Sequence, residues 1–338
     1  MPDSFDHPTV EVEVTVMPSS LFADWRLPLI AAPMTGVSGL DLVVAACRGG
    51  IGGSFPAHNA GGVDGFGEWL DLAIRQTLAH HPDGRVPGPV IPNLIVHRSN
   101  VHRARQIDAI VSRDIGIVIT SVGSPEPVIP ALHEGGCAVL ADVASVHHAR
   151  RAVAAGADGL ILLCAGGGGQ TGWANPLSFI RAVRGFWDGP TVIAGGVADG
   201  WGLWAALAAG YDAAYMGTRF IATSESSADD GYKAALTDAS LDDVYVTSAQ
   251  TGLTTSVLGS QGSSQRESAR SAARSTFDAA IFDRVSERPS RGEGGGYSAG
   301  HSVSGVTEVL PVADLLLQVE EQFRTAVRHS QELAPRYR

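Results

Sequence analysis

The sequence predicts an α/β protein of the (β/α)8, or TIM, barrel class with a C-terminal, partly helical cover segment. Three observations carry this. Eight short apolar runs recur along the chain, amphipathic helical stretches separate most of them, and glycine clusters follow the sixth, seventh and eighth runs. In such barrels the loops after the last two strands commonly form a phosphate site.

The runs are 29–34, 51–55, 89–95, 115–122, 137–143, 159–165, 190–194 and 213–220. Parallel strands buried on both faces read as continuous apolar runs, as these do. Helices are expected over 176–186, where Asn175-Pro176 suits an N-cap followed by proline, and over 200–209. A doubly wound sheet alternates in the same way. It is disfavoured by the count of eight, and because the first turn, Met34-Thr35-Gly36-Val37-Ser38-Gly39, lacks G-x-G-x-x-G. Beyond residue 220 come a helix over 224–236, a β-prone stretch at 244–247, a Ser-, Gly-, Gln- and Arg-rich loop or cover at 259–275, and a glycine-rich run at 287–300. A helical period returns over 311–329, with Val312, Leu315, Leu316, Val319 and Phe323 on one face. The expected organisation is an N-terminal lead (1–26), the barrel (27–236), a cover and substrate segment (237–311) and a helix packed on the barrel (312–338).

Length and charge narrow the function. The 338 residues exceed the roughly 250 of a bare barrel and leave room for the lead and cover. A net charge of −11 argues against a nucleic-acid partner, which calls for a basic stripe. No run approaches the ~18 apolar residues of a membrane span, and the acidic start lacks a signal peptide's basic region, so a cytoplasmic protein with no membrane partner is expected.

Four consecutive glycines, 166–169, end the run Leu160–Ala165, and Gly195-Gly196 and Gly217-Thr218 end the next two. Without a Cβ these positions let backbone N–H groups approach an anion closely, which points to a phosphorylated cofactor at the barrel mouth. Cys47, Cys137 and Cys164 are odd in number and far apart, so neither disulfides nor a metal site is expected. Cys164, at a strand end, reads either as a nucleophile or, given its apolar neighbours, as packing beside the cofactor. The single lysine, Lys233, falls after the eighth run, which disfavours Schiff-base chemistry at a strand end.

Several segments together resemble the nitronate monooxygenase family. They are Leu29-Ile30-Ala31-Ala32-Pro33-Met34, Pro92-Asn93-Leu94, Gly156-Ala157-Asp158-Gly159, Ala194-Gly195-Gly196-Val197 and Met216-Gly217-Thr218-Arg219-Phe220, with a weaker echo at Val246-Thr247-Ser248-Ala249 and Ser298-Ala299-Gly300-His301. The resemblance spans about residues 27 to 236. It implies FMN at the C-terminal face of the barrel. Ala32, Pro33 and Met34 would line the isoalloxazine, Asn93 would hydrogen-bond it, and Gly168, Gly169, Gly195, Gly196, Gly217 and Thr218 would cradle the phosphate. Asp142, Cys164 and Met216, at strand ends, join the cofactor-side set, although Asp142 also reads as a structural hydrogen-bonding group.

One departure bears on mechanism. The family usually reads Ala-Gly-Gly-His-x-Gly after the sixth strand, whereas this chain has Gly167-Gly168-Gly169-Gln170-Thr171-Gly172. Glutamine hydrogen-bonds but exchanges no proton near neutral pH. Gln170 can orient an already anionic nitronate, and a neutral nitroalkane needs another base. His301, on its glycine-flanked run, is either a surface residue or an acid–base group folded over the mouth. The expected function is oxidation of a small nitronate by FMN and O2 to a carbonyl compound and nitrite. The alternatives are NAD(P)H-dependent reduction of a quinone or activated alkene, and a non-catalytic flavin-binding protein.

Overall fold

The computed structural model describes residues 20–61, 63–79, 86–248, 252–259, 281–286 and 297–337. Most of the expected lead, Ala249 of the weaker echo, and most of the 259–275 and 287–300 runs lie outside the described residues.

Eight parallel strands close into a barrel: β1 (Leu29–Ala31), β2 (Gly52–Pro56), β3 (Val90–Ile95), β4 (Ile117–Ser121), β5 (Ala138–Val143), β6 (Gly159–Leu163), β8 (Thr191–Ala194) and β9 (Ala213–Met216). Pairing of Ala31 with Met216 completes the ring. Strand β7 (Gly169–Gln170) belongs to a second sheet. Seven expected runs contain their strands, and β2 overlaps the run 51–55 and ends one residue beyond it, at Pro56. The last strand is shorter than its apolar run, because the chain turns at Gly217 and residues Thr218–Ile221 form a helical turn whose four side chains are all buried.

Side chains alternate along each strand. Ile30, Ile91, Ile119, Leu140, Ile161 and Tyr215 fill the barrel, whereas Ala31, Leu94, Ala141, Leu162, Cys164 and Met216 pack between strands and helices. Phe22 joins the inner cluster and stands edge-on to Trp25, with ring centroids 5.1 Å apart. A Cβ on Gly52, at the start of β2, would press on the Trp25 ring, so this segment closes the N-terminal end of the barrel. The open end is therefore the C-terminal one.

Helix α6 (Pro176–Arg184) starts where Asn175 accepts hydrogen bonds from the N–H groups of Leu177 and Ser178, and Asp199 caps α7 (Gly200–Ala209) in the same way through Gly202. The helix expected over 224–236 starts later, as α9 (Asp230–Thr237), because Asp229 is its cap. Glu225 is committed elsewhere. Its carboxylate accepts the N–H of Val312 and so holds the start of the C-terminal helix, Val312–Leu333.

That helix buries Val312, Leu315, Leu316 and Val319. It lies so close to α7 that a Cβ on Gly200 would collide with the backbone at Val319 and Phe323. The N–H of Gly200 donates to Gln322 Oε1 (3.1 Å), and Trp204 Nε1 donates to Ser330 Oγ (2.5 Å). Gly200→Ala is therefore expected to destabilise the protein by the ~1–3 kcal/mol of an overpacked contact. Gly202→Ala, whose new Cβ would meet its neighbours at an ordinary 3.5 Å, should shift the urea midpoint far less.

The cover is stitched to the barrel mouth by a small antiparallel sheet. Strand β10 (Val244–Thr247) pairs with β11 (Thr255–Leu258), and β11 pairs with β7, aligning Thr255 with Gln170 and Ser256 with Gly169. The glycine loop after β6 is thus fixed by a partner from the cover.

Candidate active site

The C-terminal ends of the strands surround one cavity. Inward alternation brings Ala32, Asn93, Ser121, Asp142, Leu163, Ala194 and Tyr215 to its wall and floor. The loop after β1 is held in shape by short polar contacts. Ser38 Oγ accepts from the Met34 N–H (3.0 Å) and donates to Ala32 O (3.1 Å), and Asn59 Nδ2 donates to Met34 O (2.9 Å) and Ser38 O (3.1 Å). These contacts present Ala32, Pro33 and Met34 to the cavity as a small apolar shelf.

The glycine loops form the other side. Gly195 (φ +130°) and Gly196 (φ +80°) occupy backbone conformations that side chains rarely adopt. A Cβ on Gly195 would meet Gly167 N at 2.8 Å, whereas Gly196 faces open space. Among the described residues, no acceptor takes the N–H groups of Gly168, Gly195, Gly196 or Gly217. Such a set of free donors is the backbone signature of an anion cradle. Thr218 Oγ1 accepts from Gly300 N (3.0 Å), which ties the cover to the cradle.

The floor is polar and uncharged. Asn93 Oδ1 accepts from Ser121 Oγ (3.2 Å), while Asn93 Nδ2 and Asp142 Oδ1 are buried without a partner among the described residues. Burial pushes the Asp142 carboxyl up to about 8. Burial first, then the neighbouring Asp142, drives the Tyr215 phenol well above its ordinary range. His58, after β2, contacts Thr35 Oγ1 through Nε2 (2.9 Å), and burial lowers its imidazole to about 4. Among the described residues, no lysine or arginine lines the cavity. At neutral pH, Asp142 thus keeps its proton and His58 lacks one.

Most sequence-selected residues meet here: Ala32, Pro33, Met34, Asn93, Asp142, Gly168, Gly169, Gly195, Gly196, Gly217, Thr218 and Gln170 all line the cavity. Three do not. Cys164 and Met216 sit at outward positions of their strands, in the layer beneath the helices. The Cys164 thiol donates to Leu162 O (3.2 Å) and lies 3.5 Å from Tyr211 Oη, and burial pushes it up to about 11, far from a reactive thiolate. His301 is bound through its backbone, donating from N to Gly166 O (2.9 Å), and its exposed ring rests on Gly166 without lining the cavity. The histidine that does line it is His58. Sequence reasoning missed His58, Ser121, Tyr215 and Tyr232. For Tyr215 a signal existed, because counting back by two from Gly217 gives an inward residue. Tyr232 donates to Ser298 O (2.5 Å) and stacks on Tyr297 at 4.3 Å, anchoring the cover over the mouth. Among the described residues there is no cluster of His, Cys, Asp or Glu able to hold a metal ion, and no helix long and apolar enough to cross a membrane.

The sequence model of nitronate monooxygenase matches residues 91–322, well over half the chain. The chain belongs to the nitronate monooxygenase family. Its membership places it in a family of oxidoreductases. A nitronate monooxygenase of Paraburkholderia phytofirmans is 30% identical over 245 residues, 62% of this chain and 67% of its own. An enzyme of Mycobacterium tuberculosis named (3aS,4S,5R,7aS)-5-hydroxy-7a-methyl-1-oxo-octahydro-1H-indene-4-carboxyl-CoA dehydrogenase is 31% identical over 159 residues. That match covers 46% of this chain and 45% of the relative, so the chain spans less than half of that enzyme's length. Among solved structures, FabK from Thermotoga maritima superposes with a TM-score of 0.77 at 24% identity, covering 94% of this chain and 99% of its own, a likeness of fold alone. Nitroalkane oxidase from Streptomyces ansochromogenes superposes with a TM-score of 0.72 at 25% identity, covering 92% of this chain and 99% of its own.

Proposed function

We propose that the chain is an FMN-dependent oxidoreductase that oxidises alkyl nitronates with O2 to a carbonyl compound and nitrite. The observation that carries this reading is the set of glycine N–H groups that, among the described residues, have no acceptor and open into a cavity with a polar floor. The residues fit FMN. The N–H groups of Gly168, Gly195, Gly196 and Gly217, with Thr218 and Gly169 beside them, match a phosphate; Ala32, Pro33 and Met34 match a flat ring; and the unpaired Asn93 Nδ2 is a donor for a ring acceptor. Bound FMN supplies electron acceptance and transfer to O2, which no side chain of the cavity can do.

The chain's own residues then bind and orient the substrate. A nitronate is already an anion, so no proton has to be removed from carbon. Gln170 lies on the cavity wall, where its amide N–H can donate to a nitronate oxygen and point the carbon at the ring. With Asp142 protonated, no carboxylate on the floor repels the anion. Tyr232 and the strand pairing of Gln170 with Thr255 hold the cover in place and limit access of water.

The test is anaerobic mixing of the flavin-loaded protein with propyl nitronate, NADH and NADPH in parallel. Bleaching by the nitronate alone is expected. Bleaching by pyridine nucleotide alone would replace this reading with the reductase one.

A further inference from the structure

The floor of the cavity holds a carboxyl group to which the nitronate reading assigns no chemical step. Asp142 is at an inward position of β5, and its Oδ1 is buried with no hydrogen-bond partner among the described residues. The neighbouring strands bring no charge to it. β4 presents Ser121, and on β6 the register partner of Asp142 is Ile161, followed by the inward Leu163. Among the described residues, the ionisable side chains that share the cavity are Tyr215 on β9, His58 after β2 and Tyr232 on α9, and none is a cation at neutral pH. An aspartate with no cation and no donor beside it among the described residues is stable in such a place as a neutral acid, and a neutral acid needs an acceptor.

We propose that Asp142 binds the cofactor ring as a carboxylic acid, donating its proton in a hydrogen bond to a ring acceptor atom, so that FMN binds the protonated protein and is released as Asp142 ionises. The inference rests on the FMN reading above and adds a residue and a pH dependence to it. No bond to hydrogen is broken in this role. The proton stays on Asp142 while FMN is bound.

The direction of the effect follows from linkage. Burial holds the Asp142 carboxyl at about 8 before the cofactor binds, so the competent form predominates below that value and declines above it. The apparent Kd is the intrinsic value divided by the protonated fraction, which gives about tenfold weaker binding at about pH 9 than at about pH 7. The cofactor phosphate has lost its second proton well below this window, at about pH 6. The other cavity groups with resolved shifts stay out of it too, His58 titrating at about 4 and Tyr215 far above.

The experiment is a titration of the apoprotein with FMN, read by quenching of flavin fluorescence, at a series of pH values from about 6.5 to about 9.5. Wild type should weaken about tenfold between about pH 7 and about pH 9. Asp142→Asn keeps an N–H donor that does not ionise, and should bind near the wild-type value at about pH 7 with no weakening at higher pH. Asp142→Ala should bind more weakly than wild type at about pH 7 and show no pH dependence. A flat wild-type profile overturns the proposal, as does tighter binding with rising pH, which would mean that the carboxylate accepts from the ring. Retention of the slope in Asp142→Asn also overturns it. A wild-type protein that binds FMN at no pH overturns this proposal and the FMN reading together, whereas binding without the slope overturns this one alone.

Discussion

Gly217→Val is expected to abolish FMN binding while the barrel stays folded. The backbone at Gly217 has a negative φ of −107°, outside the left-handed region that calls for glycine. A Cβ there would meet the Ala32 Cβ and Met34 Sδ at 3.6 Å, an ordinary contact, so the first carbon fits. The two methyl groups beyond it enter the cavity beside the free N–H groups of the cradle, where phosphate oxygens would be held. Each charge-assisted hydrogen bond displaced is worth about 1.5–3 kcal/mol, so loss of two weakens binding by more than ~10²-fold. Gly196→Val is a poorer test, because φ +80° strains any side chain and could unfold the loop by itself. The readout is FMN content after reconstitution beside an unchanged thermal transition; a variant that retains stoichiometric FMN would remove the phosphate from this cradle.

Gln170→Glu is expected to lower kcat/KM for a nitronate by about 10²–10³ at unchanged flavin content. The two side chains have nearly the same shape, so the pairing of β7 with Thr255 should persist. What changes is a donor amide into a carboxylate, in a cavity that no lysine or arginine of the described residues lines. Substrate and side chain would then carry like charge in a poorly solvated place. Anaerobic flavin reduction by propyl nitronate and reoxidation by O2 of the dithionite-reduced flavin separate the effects: the first should collapse and the second should move little. Equal losses on both would mean that Gln170 acts on the cofactor or the fold.

Much of the barrel is legible in the sequence because strands covered on both faces are apolar throughout and stand out as runs. The same property hides which way each residue faces. Cys164 and Met216 end strands as Asp142 does, yet they point under the helices, and an apolar run offers no polar alternation to reveal it. Glycines of the cradle were readable because a requirement for no side chain leaves a mark in composition. Loop histidines leave none. His301 and His58 are each single imidazoles in irregular segments, and only tertiary contacts place the first outside on Gly166 and the second in the cavity wall. Strands β7 and β11 were invisible for a related reason, since a Gly-Gln pair becomes a strand only when a distant segment supplies its partner.

The central claim is that this cavity passes electrons from a nitronate to bound FMN, and anaerobic titration of the flavin-loaded protein with propyl nitronate tests it most directly. The account predicts stoichiometric loss of the oxidised flavin spectrum with nitronate, its return on admission of O2 together with formation of nitrite, and no response to NADH or NADPH. A flavin that stays oxidised with excess nitronate and bleaches with pyridine nucleotide would contradict it.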